Sequence, residues 1–258
     1  VKVYDGYLID LDGTMYRGTE KIAAACTFVQ RLQQENIPYL FVTNNSSQTP
    51  EQVATKLQTF DIPATEDQVF TSSLATANYL SERKTKASVF AIGEGGLFKA
   101  LQTKGFVFVE ESPDFVVVGI DKELTYEKLT TACLCVRAGA DLIATNGDLA
   151  IPTERGMIPG NGSIIAAISA STQTIPTFIG KPEPILMEQA LKKLGVPKEK
   201  TLMIGDNYDT DIKAGIQAGI DTLLVHTGVT SKTVLMEKKI QPTYSLDSLS
   251  DLWPLVHN

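Results

Sequence analysis

An α/β fold built around a mostly parallel sheet is the class this sequence predicts, and three observations predict it. Short β-rich apolar runs alternate with longer stretches whose apolar residues recur at helical spacing. The short runs are continuously apolar, as strands covered on both faces are. Helix punctuation falls between them. Thr49-Pro50-Glu51 reads as an N-cap followed by proline at the first helical position, and Pro184 opens a later helix in the same way. Gly195 and Gly219 follow helical runs and suit their C-terminal caps.

In chain order the strand candidates are YLID (7–10), YLFVT (39–43), SVFAI (88–92), FVVVGI (115–120), LIAT (142–145), TFIG (177–180), TLMIG (201–205) and TLLVH (222–226). The helical patterns are KIAAACTFVQRLQQEN, PEQVATKLQTF, SSLATANYLSERK, TYEKLTTACLCVRAG, EPILMEQALKKLG and TDIKAGIQAG. Strands alternating with helices imply βαβ units. The GEGG at 93–96 follows a strand but lacks the G-x-G-x-x-G spacing of a dinucleotide site, and reads as a tight turn into a helix.

Composition narrows the function classes. The 258 residues allow one large domain or two ordinary ones, and 43% apolar with 21% charged content is globular. No window reaches a membrane span, and the acids inside the first apolar run do not fit a signal peptide. A net charge of −7 disfavours nucleic acid and anionic membrane as partners, so any phosphate must be held by a local site. Cys26, Cys133 and Cys135 give no disulfide framework, which suits a reducing cytoplasm. Cys133 and Cys135 fall in a helical pattern, where i and i+2 do not face each other, so structural cysteines are expected.

Four short motifs carry the chemistry. Asp10 and Asp12 end the first strand, and Gly13 lets the chain turn. Residues i and i+2 of a strand share a side, and open α/β sheets bind ligands at the carboxyl ends of their strands. Paired carboxylates can divide labour, one ionised and one tuned as acid and base. An EF-hand loop is excluded, because its glycine position holds Met15 and its final Glu position holds Lys21. Thr43-Asn44-Asn45-Ser46 ends a second strand with hydroxyls and main-chain N–H groups suited to phosphate. Lys181, between a strand and a helix, is a compact charge for the same ligand. Asp206 ends a further strand in GDNYDTD (205–211), where oxygen ligands for Mg²⁺ are to be expected; Asp209 reads as the N-cap of the helix that follows.

Taken in order, DLDGT (10–14), VTNN (42–45), GKP (180–182) and GDNYDTD (205–211) resemble the haloacid-dehalogenase (HAD) superfamily of phosphatases, over nearly the whole chain. The resemblance implies a Rossmann-like core in which Asp10 is the nucleophile, forming an aspartyl-phosphate, and Asp12 the general acid and base. It implies Mg²⁺ on Asp10, the Asp12 carbonyl and Asp206, with Asp211 in the outer shell. Thr43, the Asn44 N–H and Lys181 would hold the phosphoryl oxygens.

Only 28 residues separate Thr14 from Thr43, too few for an inserted domain, whereas 137 separate Thr43 from Lys181. An α/β type II cap is therefore expected at 86–176, with the catalytic core at 1–85 and 177–258. This layout is similar to the NagD-like branch, and the stretch LIATNGDLAIPTERGMIPGNGSIIAAI (142–168) matches it. The branch implies that the loop at 148–156 faces the core site and helps select the leaving group, with Asn146, Asp148 and Arg155 as its candidate residues. It also implies a homodimer. His226, at a strand end, is expected to bond locally, and His257 lies in the tail.

The expected activity is Mg²⁺-dependent hydrolysis of a small phosphorylated metabolite, a sugar or acid-sugar phosphate. Two rivals stand beside it. A phosphotransferase or mutase of the same superfamily most often carries its cap between the Asp and Thr motifs, a slot that is empty here. A phosphoaspartate-based signalling or binding module resembles receiver domains, whose acidic pair is adjacent rather than D-x-D; turnover of the phosphoaspartate separates the two.

Overall fold

The computed structural model describes residues 2–256; His257 lies outside them. The chain forms two compact units, one from the residues up to Thr43, Glu51–Phe70 and from Lys181 onward, the other from Asn44–Pro50 and Thr71–Gly180. The first unit contains β1 (Gly6–Ile9), the hairpin β2 (Tyr16–Arg17) and β3 (Glu20–Lys21), α1 (Ala23–Gln34), β4 (Tyr39–Thr43), most of α2 (Pro50–Thr59) and the start of β5 (Val69–Thr71). The second unit follows with α3 (Ser72–Arg83), β6 (Ser88–Ile92), α4 (Gly95–Thr103), β7 (Val107–Phe108), β8 (Phe115–Val118), α5 (Tyr126–Arg137) and β9 (Asp141–Ala144). It ends with the hairpin β10 (Ala150–Thr153) and β11 (Gly156–Pro159), α6 (Asn161–Thr172) and β12 (Thr177–Phe178). The chain then returns to the first unit with α7 (Pro184–Leu194), β13 (Thr201–Gly205), α8 (Lys213–Ala218), β14 (Asp221–Val225), α9 (Lys232–Met236), β15 (Tyr244–Leu246) and α10 (Trp253–Val256).

Among the described residues the sheet of the first unit runs β15-β14-β13-β1-β4-β5. Strands β1, β4, β13 and β14 pair in parallel register, with Ile9 opposite both Ile204 and Phe41. β1, β4 and β13 are buried along their whole length, as their unbroken apolar runs require. From β1 the chain goes outward to β4 and β5 on one side, and later to β13, β14 and β15 on the other. β1 thus lies where the strand order reverses, the place where open α/β sheets form a crevice at their carboxyl ends. Helix α1 buries Ala25, Phe28, Val29 and Leu32, the i, i+3, i+4, i+7 stripe of an amphipathic helix. α7 and α8 both end on glycines at φ +73°, as the sequence leads one to expect.

The second unit has its own parallel sheet, β12-β9-β8-β6-β7, and a separate apolar core that includes Ile92, Val116, Val118, Leu142 and Ile165. Cys135 is buried and Cys133 half-buried on α5, and both are free thiols. Where α6 begins, two glycines replace bulk. A Cβ on Gly160 would stand 2.2 Å from the Asp148 carbonyl oxygen, and one on Gly162 2.3 Å from that of Gly147. The Gly162 N–H instead donates to Asp148 O at 2.8 Å, so the PGNG stretch holds the 147–149 loop by backbone contact.

The unit boundaries differ from those expected. Residues 44–50 already count with the second unit, the long excursion into it begins after Phe70 rather than after residue 85, and the return falls at Lys181 rather than at 177. The cause is α3. Ser72 and Ser73 at its start donate to the carbonyls of Asn44 and Ser46, and these belong to the second unit together with α3 itself. β5, β7, β15 and the two hairpins are also additional to the expected strands; β2, β3, β5, β7 and β15 run only two or three residues, too few to leave a periodic pattern. Among the described residues no helix is long and apolar enough to cross a membrane.

Gly162→Ala should destabilise the second unit by ~1–3 kcal/mol, because the new methyl meets backbone rather than a movable side chain. Thermal unfolding checks this, and an unchanged melting temperature would refute the backbone contact.

Candidate active site

Three adjacent strands deliver the central residues. Asp10 follows Ile9 of β1 and donates its N–H to Ile204 O at 2.9 Å. Thr43 is the last residue of β4 and is buried. Asp206 follows Gly205 of β13. Asp12 is placed by the turn rather than by strand alternation, because β1 has already ended at Ile9. Thr14 N and Met15 N both donate to Leu11 O, and Gly13 N donates to Tyr16 O at 2.8 Å, which closes the turn.

Lys181 enters this group from the start of the last chain segment. Only 2% exposed, its ammonium donates to Asp10 Oδ1 at 2.6 Å, Asp211 Oδ1 at 2.8 Å and Val42 O at 2.9 Å. Burial by itself would favour loss of its proton, but the Asp10 and Asp211 carboxylates outweigh burial and hold the amine charged beyond its ordinary range. Asp10, Asp206 and Asp211 offer oxygens that all lie within 4.8 Å of one another, and all three are buried. Burial, and then repulsion from Asp211, push the Asp10 carboxyl well up, with Lys181 opposing. Asp206 is pushed up to about 6 by burial and by Asp211, against the Val229 N–H and Lys181. Three carboxylates facing one ammonium leave two negative charges uncompensated. An all-oxygen donor set with that charge fits a hard divalent cation.

The space around Asp206 is shaped by absent side chains. A Cβ on Gly13, which sits at φ +87°, would come 2.3 Å from Asp206 Oδ2, and one on Gly228 1.9 Å from the same atom. The Val229 N–H donates to that oxygen at 2.7 Å, and Thr230 N donates to Asp206 O at 3.1 Å. The Thr14 hydroxyl lies 3.3 Å from Asp206 Oδ1 and 3.4 Å from Asp10 Oδ2. His226 starts this loop and bonds locally, as expected, through Nδ1 to Thr230 O at 3.0 Å and Nε2 to Ser245 Oγ at 2.8 Å. Asp211 turns its second oxygen to the Asn207 N–H at 3.1 Å.

Asp12 does not belong to the carboxylate cluster. It is an exposed residue, yet the protein on its inner side pushes its carboxyl up, against Lys56, the Tyr16 hydroxyl and Lys181. Tyr16 Oη donates to Asp12 Oδ2 at 3.3 Å. The residues expected to shape the substrate end lie in the second unit. Asp148 Oδ2 accepts from Asn146 Nδ2 at 2.6 Å and from Asn44 Nδ2 at 3.1 Å, so Asn44, Asn146 and Asp148 form one knot there. Arg155 is exposed at the turn between β10 and β11, where its N–H donates to the Thr153 hydroxyl.

The structure also shows what sequence reasoning missed. The N-cap of the turn at Tyr208–Ile212 is Asn207, whose side chain accepts from Asp209 N, and not Asp209; the latter pairs with Lys213 at 2.6 Å and Lys238 at 2.9 Å. The 227–230 loop around Asp206 works through main-chain N–H groups, which residue identity does not announce; the signal was TGVT placed just after a strand on the site side.

Comparison with known proteins agrees with this geometry. The chain matches the family described as haloacid dehalogenase-like hydrolase over residues 7–107, and the HAD-hydrolase-like family over residues 178–252. It is 58% identical to the 5'-nucleotidase YutF of Bacillus subtilis over 99% of this chain and 100% of that protein. It is 50% identical to the acid sugar phosphatase of Staphylococcus saprophyticus, over 98% of each. A solved point mutant of the thermostable p-nitrophenylphosphatase from Bacillus stearothermophilus superposes with a TM-score of 0.88 at 64% identity, covering 97% of this chain and 98% of that one. On its motifs, its fold and these likenesses together, the chain belongs to the haloacid dehalogenase-like hydrolase family, as one of its phosphatases.

Proposed function

We propose that this phosphatase is a Mg²⁺-dependent hydrolase of small soluble phosphomonoesters, sugar or acid-sugar phosphates, acting through an aspartyl-phosphate on Asp10 in the cytoplasm. The observation that carries the reading is the Asp10 carboxylate, held by the buried Lys181 ammonium beside Asp206 and Asp211 at the carboxyl end of the central strand.

A carboxylate does not approach a phosphate dianion without help, because like charges repel. Lys181 supplies one positive charge at 2.6 Å from the attacking group and keeps it at neutral pH. Thr43, the Asn44 N–H and Lys181 would hold the phosphoryl oxygens, since phosphoryl transfer is mainly positioning plus charge stabilisation. Asp10 bonds to phosphorus while Asp12 gives its proton to the departing oxygen. Asp12 then takes a proton from the attacking water as the Asp10–phosphorus bond breaks. Asp10, the Asp12 carbonyl and Asp206 would hold Mg²⁺, which when bound neutralises charge on the phosphoryl group. Asp211 orients Lys181 and stays outside that ligand set. Choice of leaving group is assigned to the 148–156 loop of the second unit, the proposed cap, with Asn146, Asp148 and Arg155 as its candidates. The relatives include a 5'-nucleotidase and an acid sugar phosphatase, so leaving groups differ among close likenesses.

Asp10→Asn should abolish p-nitrophenyl phosphate hydrolysis with the fold intact, and appreciable turnover by that variant would sink the mechanism. Asp206→Ala should weaken activation by Mg²⁺; an unchanged metal titration would remove its role as ligand. The pH dependence follows from Asp206, whose folded value of about 6 lies above the ordinary 3.8. Its protonation stabilises the metal-free fold fully below about 4, and that contribution is lost as pH rises through about 6. A cation needs the ionised form, so the rise in melting temperature produced by Mg²⁺ should grow between pH 5 and 7.5, and a constant increment would contradict the site. A panel of phosphorylated metabolites assayed with Mg²⁺ tests the substrate class: preference for sugar phosphates supports it, and preference for nucleotides overturns it.

A further inference from the structure

We propose that Tyr16 is a positioning residue for Asp12: its buried hydroxyl holds one carboxyl oxygen and thereby directs the other at the leaving group. The inference rests on the reading of Asp12 as acid and base, and goes beyond it by assigning what aims that carboxyl.

A carboxyl on a single methylene at an exposed position has several rotamers to choose from. Asp12 is such a residue, but its backbone is pinned by a bridge to Tyr16, and its Oδ2 accepts from Tyr16 Oη at 3.3 Å. Tyr16 itself is 2% exposed and cannot swing. Its ring packs on Phe60 at 5.3 Å between centroids, and Lys56 Nζ lies 3.9 Å from its centroid on the neighbouring helix α2. An ammonium over an aromatic face is attracted by the ring quadrupole, so Lys56 clamps the phenol. Burial and the nearby Asp12 charge keep Tyr16 a neutral phenol, able to donate. Hydrogen bonds of this kind are often long before substrate arrives and shorten afterwards.

The consequence is a division between the two carboxyl oxygens. Oδ2 is occupied by the phenol proton. The transferable proton therefore sits on Oδ1, and it is Oδ1 that gives it to the leaving oxygen as the phosphorus–oxygen bond breaks. In the second half, Oδ1 takes the proton from water. A wrongly turned carboxyl would cost most where the leaving group needs the proton most.

That dependence supplies the test. kcat/KM, which covers the steps up to release of the alcohol, is measured for wild type, Tyr16→Phe and Asp12→Asn on phosphate esters from p-nitrophenyl through phenyl to alkyl. Tyr16→Phe keeps the ring and should lose little on p-nitrophenyl phosphate and ~10- to 100-fold on alkyl esters. A loss equal across the series, or none, overturns the positioning role, since a merely structural defect does not sense the leaving group. If Asp12→Asn itself shows no such slope, the acid reading fails first and takes the inference with it; a slope for Asp12→Asn without one for Tyr16→Phe overturns the inference alone. Should Tyr16→Phe not fold, Phe60→Leu, which loosens the ring without altering charge near Asp12, is scored on the same series, and a flat loss there is equally decisive.

Discussion

The buried ammonium of Lys181 between Asp10 and Asp211 is the interaction on which the rest of the first unit's site depends. Its two carboxylate contacts are 2.6 and 2.8 Å, and it brings together residues from the end of the first strand and from the turn after β13. Removing the ammonium would leave buried carboxylates without their cation, which costs about 3–5 kcal/mol. The pair is also incomplete by design. One positive charge among three buried carboxylates leaves a site that is electrostatically unfinished without a cation, and burial together with the Asp211 charge raises Asp206 there. Stability is given up here in exchange for a place where charge can be met.

The same economy explains the glycines. Asp206 is held by a main-chain N–H and fits only because Gly13 and Gly228 present no side chain to it. The sheet topology sets the level at which these parts meet. β1 lies between β4 and β13, so the residues past their carboxyl ends converge without any side chain needing to be long. A lysine is used where reach is needed, from a segment that is not a strand of this sheet.

Much of this is legible in the sequence alone. Continuous apolar runs announced β1, β4 and β13 almost to the residue, because strands buried on both faces tolerate nothing else. Asp10, Thr43, Lys181 and Asp206 stood out because polar residues directly after such runs need a reason to be there. What stayed hidden has physical causes too. Three-residue strands such as β5 have too few side chains to show a period. The boundary at Phe70 depends on hydroxyl bonds from Ser72 and Ser73 to distant carbonyls, which no local pattern encodes. Asp209 was the natural capping candidate, but Asn207 reached the free N–H first. The support of Asp206 by the 227–230 loop and of Asp12 by Tyr16 comes from geometry that adjacency in sequence does not reveal.

The central strand has a temporal consequence. β1 is flanked by β4, made soon after it, and by β13, made only after the whole second unit. Lys181 meets Asp10 across 171 residues of chain. The second unit's sheet, by contrast, comes from the continuous stretch between Ser88 and Phe178. During synthesis it can therefore finish while β1 and β4 still present an open sheet edge. The carboxylates gather only when the last third of the chain emerges, so the proposed site is completed late in the chain's own assembly.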